Sequence, residues 1–186
     1  MLGEIIKSLL VYCVVPLFSN IAPHPDQQNL LSTYHHPLRG KDECGWSHIL
    51  DESINIKKLA GPYAADVIKY SKKAKVSPLL IAAILHVEND GFIHNSMASH
   101  RVSYAGAIGP MQLMPSTGRF MHVNPWVPKE NIKGGVKYVA YLLKSFHYNI
   151  TDALIAYNEG PTALKQGYKT SSSIAYASRI IRISKS

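Results

Sequence analysis

Several common functional signals are absent from this sequence of 186 residues. No segment alternates apolar and polar residues for long enough to predict a β-strand, and there is no internal repeat. The sequence has neither a glycine-rich phosphate loop nor a nucleophile-elbow serine motif, which argues against nucleotide-binding enzymes and serine hydrolases. None of the nine histidines forms a pair at the i, i+4 spacing of a metal site. We therefore expect no metal and no cofactor.

Charged residues are also scarce, at 17%, but they are unbalanced, with a net charge of +8 and a pI near 9.4. This balance favours contact with an anionic partner such as nucleic acid, acidic lipid or a bacterial wall polymer. The basic residues are scattered, at most in pairs such as Lys57-Lys58 and Lys72-Lys73, and no dense basic block is present. Scattered lysines are typical of a solvated surface, so we expect no nucleic-acid partner.

The first 22 residues have the features of a signal peptide. A weakly positive start is followed by an apolar stretch over residues 9–18, which is too short to cross a bilayer, and then by the small residue Ala22. We therefore predict export to the periplasm, with an uncleaved amphipathic anchor as the alternative. After cleavage Cys44 is left alone, and it either stays a free thiol or pairs with another chain.

The rest of the chain divides into an irregular extension, residues 23–60, and a mainly helical domain, residues 61–186. The extension contains at most a short helix over residues 53–59. Capping residues and stop signals mark the helices of the domain. The first two predicted helices cover residues 63–73 and 78–88, and Ser77 caps the second. A short helix begins at Pro115, and a longer one covers residues 131–146 with Asn131 as its cap. The last two run from Thr151 to the stop signal at 158–161 and from Ser172 or Ser173 to residue 183.

Glu88 stands out because it closes an apolar helix and lies at the spacing that places it on the same face as Ile81, Ile84 and Leu85. Desolvation and the negative end of the helix dipole both disfavour a charged carboxylate, so they raise its pKa toward the range of a general acid at neutral pH. The alternative is a glutamate of the last helical turn that points into solvent.

Four segments resemble the lytic transglycosylase family of the soluble (SLT), goose-lysozyme-like type. They are residues 87–92 (Val-Glu-Asn-Asp-Gly-Phe), 106–115 (Gly-Ala-Ile-Gly-Pro-Met-Gln-Leu-Met-Pro), 131–138 (Asn-Ile-Lys-Gly-Gly-Val-Lys-Tyr) and 156–160 (Ala-Tyr-Asn-Glu-Gly). Any one of them is a weak signal, but their order and spacing together are specific. The resemblance covers roughly residues 62–182 and implies a mainly α, lysozyme-like domain with a substrate groove.

The resemblance also implies a reaction. Members of the family cut the β-1,4 bond between N-acetylmuramic acid and N-acetylglucosamine in peptidoglycan without adding water, and they leave a 1,6-anhydromuramic end. Glu88 matches the single essential glutamate, which serves first as acid and then as base while the substrate's acetamido group stabilises the sugar cation. The other carboxylates beside helix ends, namely Asp90, Glu130, Asp152 and Glu159, are expected to be solvated or capping residues.

Five further positions match substrate-binding residues of the family. Met111 and Gln112 are expected to line the cleft, Ser103 to contact the acetamido group, and Tyr157 with Asn158 to lie beside Glu88, with the tyrosine hydroxyl helping to hold the carboxylate. From the residues alone, Met111 and Tyr157 are typical of a core and Ser103 of a turn.

The chain departs from the family pattern in three places. Asn89 stands where serine is usual after the glutamate, Pro110 stands where leucine is usual, and residues 93–101 contain an insertion. Proline lacks an N–H, so the departure at Pro110 predicts different main-chain hydrogen bonding in that loop.

We therefore predict a monomeric, periplasmic enzyme that acts on peptidoglycan strands. Small transglycosylases without a wall-anchoring module are typical of envelope secretion, pilus or conjugation complexes, so such a complex is a candidate partner by analogy. Two alternatives stay open: a hydrolytic muramidase on the same fold, and a non-catalytic peptidoglycan-binding assembly protein.

Overall fold

The structure is a computed structural model that describes residues 46–94 and 96–185. The predicted signal peptide, Cys44 and residues 23–45 of the predicted extension lie outside the described residues. Apart from the first residues of one helix, the description below concerns the compact unit Asp51–Ser186.

The described residues are mainly helical, as the sequence predicts. Two short 3-10 helices, Gly61–Tyr63 and Ser96–His100, accompany the α-helices, and the extended segments of this part of the chain pair only through isolated bridges. The α-helices are α1 Trp46–Ala60, α2 Ala64–Ala74, α3 Pro78–Glu88, α4 Pro115–Phe120, α5 Pro128–Ser145, α6 Ile150–Glu159, α7 Pro161–Lys165 and α8 Ser171–Ile183. None of them is both long and apolar enough to span a membrane.

Helix α3 lies at the centre of the fold. It begins where the Ser77 hydroxyl accepts a hydrogen bond from the N–H of Leu80 (3.3 Å), with Pro78 in the first turn. Every residue from 80 to 85 is buried, so the helix is covered on all sides rather than on one face. Helices α2 and α8 pack against it. The end of α3 therefore holds Glu88 against the core.

The remaining helices pack against one another and against α2 and α8. Helix α5 packs against α2, α4 and α6, and α6 packs in turn against α7 and α8. The core between them consists of large apolar side chains with almost no exposed surface: Val67, Ile132, Leu142, Leu154, Ile155 and Ile180. These contacts bring α8, near the end of the chain, beside the central helix.

The prediction of at most a short helix over residues 53–59 was wrong, because α1 runs over the 15 residues Trp46–Ala60. Within it Ile56 and Ala60 are buried in the core, so tertiary packing stabilises a segment whose local pattern was weak.

Asn131 was also wrongly predicted as a helix cap. Helix α5 begins three residues earlier at Pro128, which suits the first helical turn because its missing N–H would have no partner there. Asn131 lies inside the helix and is fully buried, and its side chain has the different function described below.

Two more caps lie slightly upstream of their predicted positions. Asn149, rather than Thr151, accepts the N–H three residues on (3.1 Å) at the start of α6. Thr170, rather than Ser172 or Ser173, accepts the N–H of Ser173 (3.1 Å) at the start of α8. Neighbouring residues of similar capping propensity cannot be ranked from local sequence alone.

Candidate active site

Glu88, the last residue of α3, is a mostly buried carboxylate. Its Oε1 accepts a hydrogen bond from the hydroxyl of Tyr176 on α8 (2.5 Å). Burial raises the pKa of Glu88 to about 7 from an ordinary value of 4.5, although the Tyr176 hydrogen bond and the charge of Arg101 act in the opposite direction. Desolvation of the charged form is therefore the dominant effect, and near neutral pH both protonation states are populated.

Tyr176 was not identified from the sequence as a site residue. Burial, followed by the charge of Glu88, raises the pKa of the Tyr176 hydroxyl well above its ordinary value, so it remains a neutral donor. No local pattern connects Tyr176 with Glu88, since 88 residues separate them. Their contact follows from the packing of α8 against α3.

Tyr157 on α6 has a different hydrogen-bond partner from the one that the resemblance implied. Its hydroxyl donates to the carbonyl of Met111 (2.7 Å), which lies in the loop of residues 101–113, called the motif loop below. The pKa of Tyr157 is raised well above its ordinary value by burial and then by the charge of Glu88. The charge of Glu88 therefore acts on Tyr157, while the hydroxyl of Tyr157 is hydrogen-bonded to the motif loop.

The motif loop is held in shape by backbone bridges. Ile108 pairs with Val102 on one side and with Leu113 on the other. Ser103 opens the turn between these segments, where its hydroxyl oxygen accepts the N–H of Ala107 (3.0 Å). The structure thus gives Ser103 a turn-stabilising contact within the motif loop.

Met111 and Gln112 are adjacent in the motif loop but differ in exposure. Met111 is 0% exposed and packs against Gly135 of α5, where a Cβ would lie only 2.6 Å from its terminal carbon. Its expected place in an open cleft is therefore corrected to the core. Gln112 is partly exposed and has a φ of 47°, a conformation that is unusual for a residue with a side chain. Its amide nitrogen donates to the carbonyl of Gly109 (2.8 Å).

Asn131 attaches the motif loop to α5. Its Oδ1 accepts the N–H of Met111 (2.8 Å), and its Nδ2 donates to the carbonyls of Ile108 (2.7 Å) and Pro125 (2.9 Å). Because Asn131 and Met111 are both fully buried, the bond to the Met111 N–H satisfies a backbone donor that water does not reach.

Asn89 and Pro110, the two single-residue departures from the family pattern, contact each other. The buried side-chain amide of Asn89 donates to the carbonyl of Pro110 (2.7 Å) and to the carbonyl of Leu85 (2.8 Å). Pro110 has no N–H to offer, but its carbonyl receives this bond. The end of α3 and the motif loop are thereby joined directly beside Glu88, and Arg101 adds a bond from its Nη1 to the Glu88 carbonyl (3.0 Å).

The structure therefore brings together Glu88, Met111 and Tyr157, with Gln112 and Ser103 in the same motif loop. Asn158 is exposed near the end of α6, and its side chain makes no hydrogen bond within the described part of the chain. Nor do the described residues contain a group of three or more His, Cys, Asp or Glu side chains able to hold a metal ion.

Several known proteins are similar to this chain in sequence or in fold. The family described as "Transglycosylase SLT domain" matches residues 66–179. A curated relative, the protein named "Transglycosylase" from Enterobacteria phage PRD1, is 32% identical over 103 residues, which are 55% of this chain and 36% of that protein.

Two solved structures have a similar fold. One is an inactive mutant of the lytic transglycosylase Slt from Pseudomonas aeruginosa, with a TM-score of 0.57 and 22% identity over 68% of this chain and 24% of that one. The other is the 70 kDa soluble lytic transglycosylase Slt70 from Escherichia coli, with a TM-score of 0.57 and 20% identity over 70% of this chain and 24% of that one. The chain thus spans about a third of the curated relative's length (36%) and about a quarter (24%) of each solved chain.

Proposed function

The chain belongs to the transglycosylase SLT domain family, and from this premise we propose that it is a peptidoglycan lytic transglycosylase in which Glu88 is both acid and base. The observation that carries the proposal is the carboxylate of Glu88, whose pKa is raised to about 7 by burial between α3, α8 and the motif loop. A group with this pKa is suited to give up a proton and to take one back near neutral pH.

In the proposed reaction, protonated Glu88 donates its proton to the glycosidic oxygen as the bond to C1 of the muramic sugar breaks. The sugar's own acetamido oxygen bonds to C1 and forms an oxazolinium. The hydroxyl of Tyr176 stabilises the carboxylate that Glu88 has become. Glu88 then takes the proton of the C6 hydroxyl, whose oxygen attacks C1 and displaces the acetamido oxygen. Glu88 thus ends the reaction with a proton, as it began, and no water is consumed.

The surroundings of the other acidic residues support a single-carboxylate reaction. Hydrolytic glycosidases commonly pair two carboxylates about 5–9 Å apart. The four considered from the sequence each have another partner: Asp90 with Arg101 (3.2 Å), Glu130 with the N–H of Asn124 (2.7 Å), Asp152 with Lys169 (2.8 Å) and Glu159 with the N–H of Thr170 (2.9 Å). This favours the non-hydrolytic reaction over a hydrolytic muramidase.

We extend the proposal to the cellular setting predicted from the sequence. The substrate polymer lies outside the cytoplasm, which is consistent with export through residues 1–22. Local opening of the wall for an envelope secretion, pilus or conjugation complex is the role we propose for the activity, by analogy with small transglycosylases.

The test is mass spectrometry of the muropeptides that the protein releases from purified sacculi, with Glu88→Gln as the comparison. We expect anhydromuramic products from the wild type and a loss of about a thousandfold in the variant, because Gln is a similar shape but cannot transfer the proton. Reducing-end products would instead identify a hydrolase. Binding to sacculi without any product would identify a non-catalytic wall-binding protein.

A further inference from the structure

A cavity of about 350 Å³ lies between α2 and α5. This volume falls within the range of ligand-binding clefts, roughly 300–1,000 Å³. The residues that line it are Tyr70, Lys73 and Ala74 of α2 and Lys133, Val136 and Lys137 of α5. Three of the six carry an ammonium group and none carries a carboxylate.

The charge of this cavity is not neutralised within the described part of the chain. Lys73 and Lys133 are exposed and have no ion pair or side-chain hydrogen bond there. Lys137 donates to the carbonyl of Met121 (2.7 Å), which leaves its charge unpaired. The nearby carboxylate of Glu130 accepts the N–H of Asn124 and does not line the cavity. Like charges gathered in a concave site repel each other and favour an anionic ligand.

The cavity lies on a different side of α5 from the motif loop. Gly135 faces Met111, whereas Lys133 and Lys137 are two residues away in either direction and therefore point away from Gly135. Lys133 and Lys137 are four residues apart, so they share one face of the helix. A ligand in the cavity is thus separate from a sugar bound at Glu88.

We propose that this cavity binds the carboxylates of peptidoglycan peptide stems, on a strand other than the one being cleaved. The inference rests on the proposed function, because it takes the polymer cut at Glu88 as the source of the anion. Stem peptides carry several free carboxylates and extend away from the glycan, which matches a basic cavity removed from the glutamate. The three ammonium groups supply point charges that attract carboxylates without requiring one fixed geometry.

The experiment compares two double variants of equal charge. Lys73→Gln with Lys133→Gln alters the cavity, whereas Lys72→Gln with Lys144→Gln alters exposed lysines of the same two helices outside it. Lys137 is kept because it holds the Met121 carbonyl. The probe is the free stem tripeptide L-alanyl-γ-D-glutamyl-diaminopimelate, titrated by calorimetry. At about 50 mM salt we expect the cavity variant to bind it about fivefold more weakly than the wild type and the control variant.

Equal weakening in both variants would overturn the proposal, because it would show a general charge effect. Binding of inorganic phosphate at the cavity without binding of the tripeptide would overturn it as well. Kinetics provide the second readout: for intact sacculi we expect a raised KM and an unchanged kcat in the cavity variant. For glycan strands stripped of their stems by an amidase, we expect no difference from the wild type.

The outcomes separate this inference from the proposed function. Glu88→Gln is expected to keep wild-type affinity for the tripeptide while it loses cleavage. If the wild type released no product from sacculi, the proposed function would fail, whereas the tripeptide titration would still decide whether the cavity binds stems.

Discussion

At the scale of single residues, the contact between Tyr176 and Glu88 sets how the site responds to pH. The Tyr176 hydroxyl hydrogen-bonds to the carboxylate and lowers the pKa of Glu88 against the larger effect of burial. In Tyr176→Phe the pKa of Glu88 therefore rises further, and the acid form persists to higher pH. We expect the alkaline limb of the pH–rate profile to move to higher pH, while kcat falls by about tenfold because the carboxylate is less well positioned.

Tyr157→Phe is the matched comparison, because its hydroxyl donates to the Met111 carbonyl and not to Glu88. We expect this variant to lose activity through the motif loop without an upward shift of the alkaline limb. If the two variants gave the same profile, the hydrogen bond from Tyr176 would not be what lowers the pKa of Glu88.

Single residues of the site also differ in how well the sequence predicts their position. The position of Glu88 follows from local signals, namely an apolar helix, a stop after it and a matching motif. The contribution of Tyr176 depends on a contact across 88 residues, which no helix period or cap encodes. The side chain of Met111 taken alone indicates a core, whereas the family resemblance implies the cleft, and the close approach of Gly135 places it in the core.

At the scale of elements, Asn131 joins the motif loop to α5. Asn131→Ala leaves the N–H of Met111 and the carbonyl of Pro125 without their hydrogen-bond partner, while alanine itself favours the helix. We expect a loss of about 3 kcal/mol in the free energy of unfolding, because unsatisfied buried groups cost about 1–3 kcal/mol each. Urea denaturation followed by circular dichroism measures this loss.

Asn149→Ala is the control for that measurement, because Asn149 is an actual helix cap, and loss of a cap costs about 1 kcal/mol. Losses of equal size in the two variants would contradict the loop-joining function of Asn131 and favour the capping function that its sequence context suggests.

Helices were predicted well where their ends carry strong sequence signals. They were predicted less well where tertiary packing determines the extent of the helix. Helix α3 has Ser77 and Pro78 at its start, and its predicted bounds are confirmed. Helix α1 has few periodic apolar residues but is stabilised by burying Ile56 and Ala60. The bridges of Ile108 with Val102 and Leu113 are single pairs, too short to produce the alternation by which strands are recognised.

At the scale of the whole molecule, the fold keeps a carboxylate in an environment that disfavours its charge, and this has a cost in stability. The pKa of Glu88 is about 7 in the folded chain against 4.5 for an ordinary glutamate. A pKa raised by folding gives a contribution to stability that is fully present below about pH 4.5 and is lost as the pH rises through about 7. The difference between the two pKa values corresponds to about 3 kcal/mol.

Glu88→Gln removes this titration and keeps an uncharged side chain that accepts the hydroxyl of Tyr176. We expect the variant to be more stable than the wild type by about 3 kcal/mol at about pH 9, and nearly equal to it at about pH 4, where the wild-type carboxyl is protonated. Urea unfolding of both proteins across this range measures the difference. A gain in stability that did not change with pH would mean that the variant acts through packing, and that burial does not hold Glu88 in its acid form.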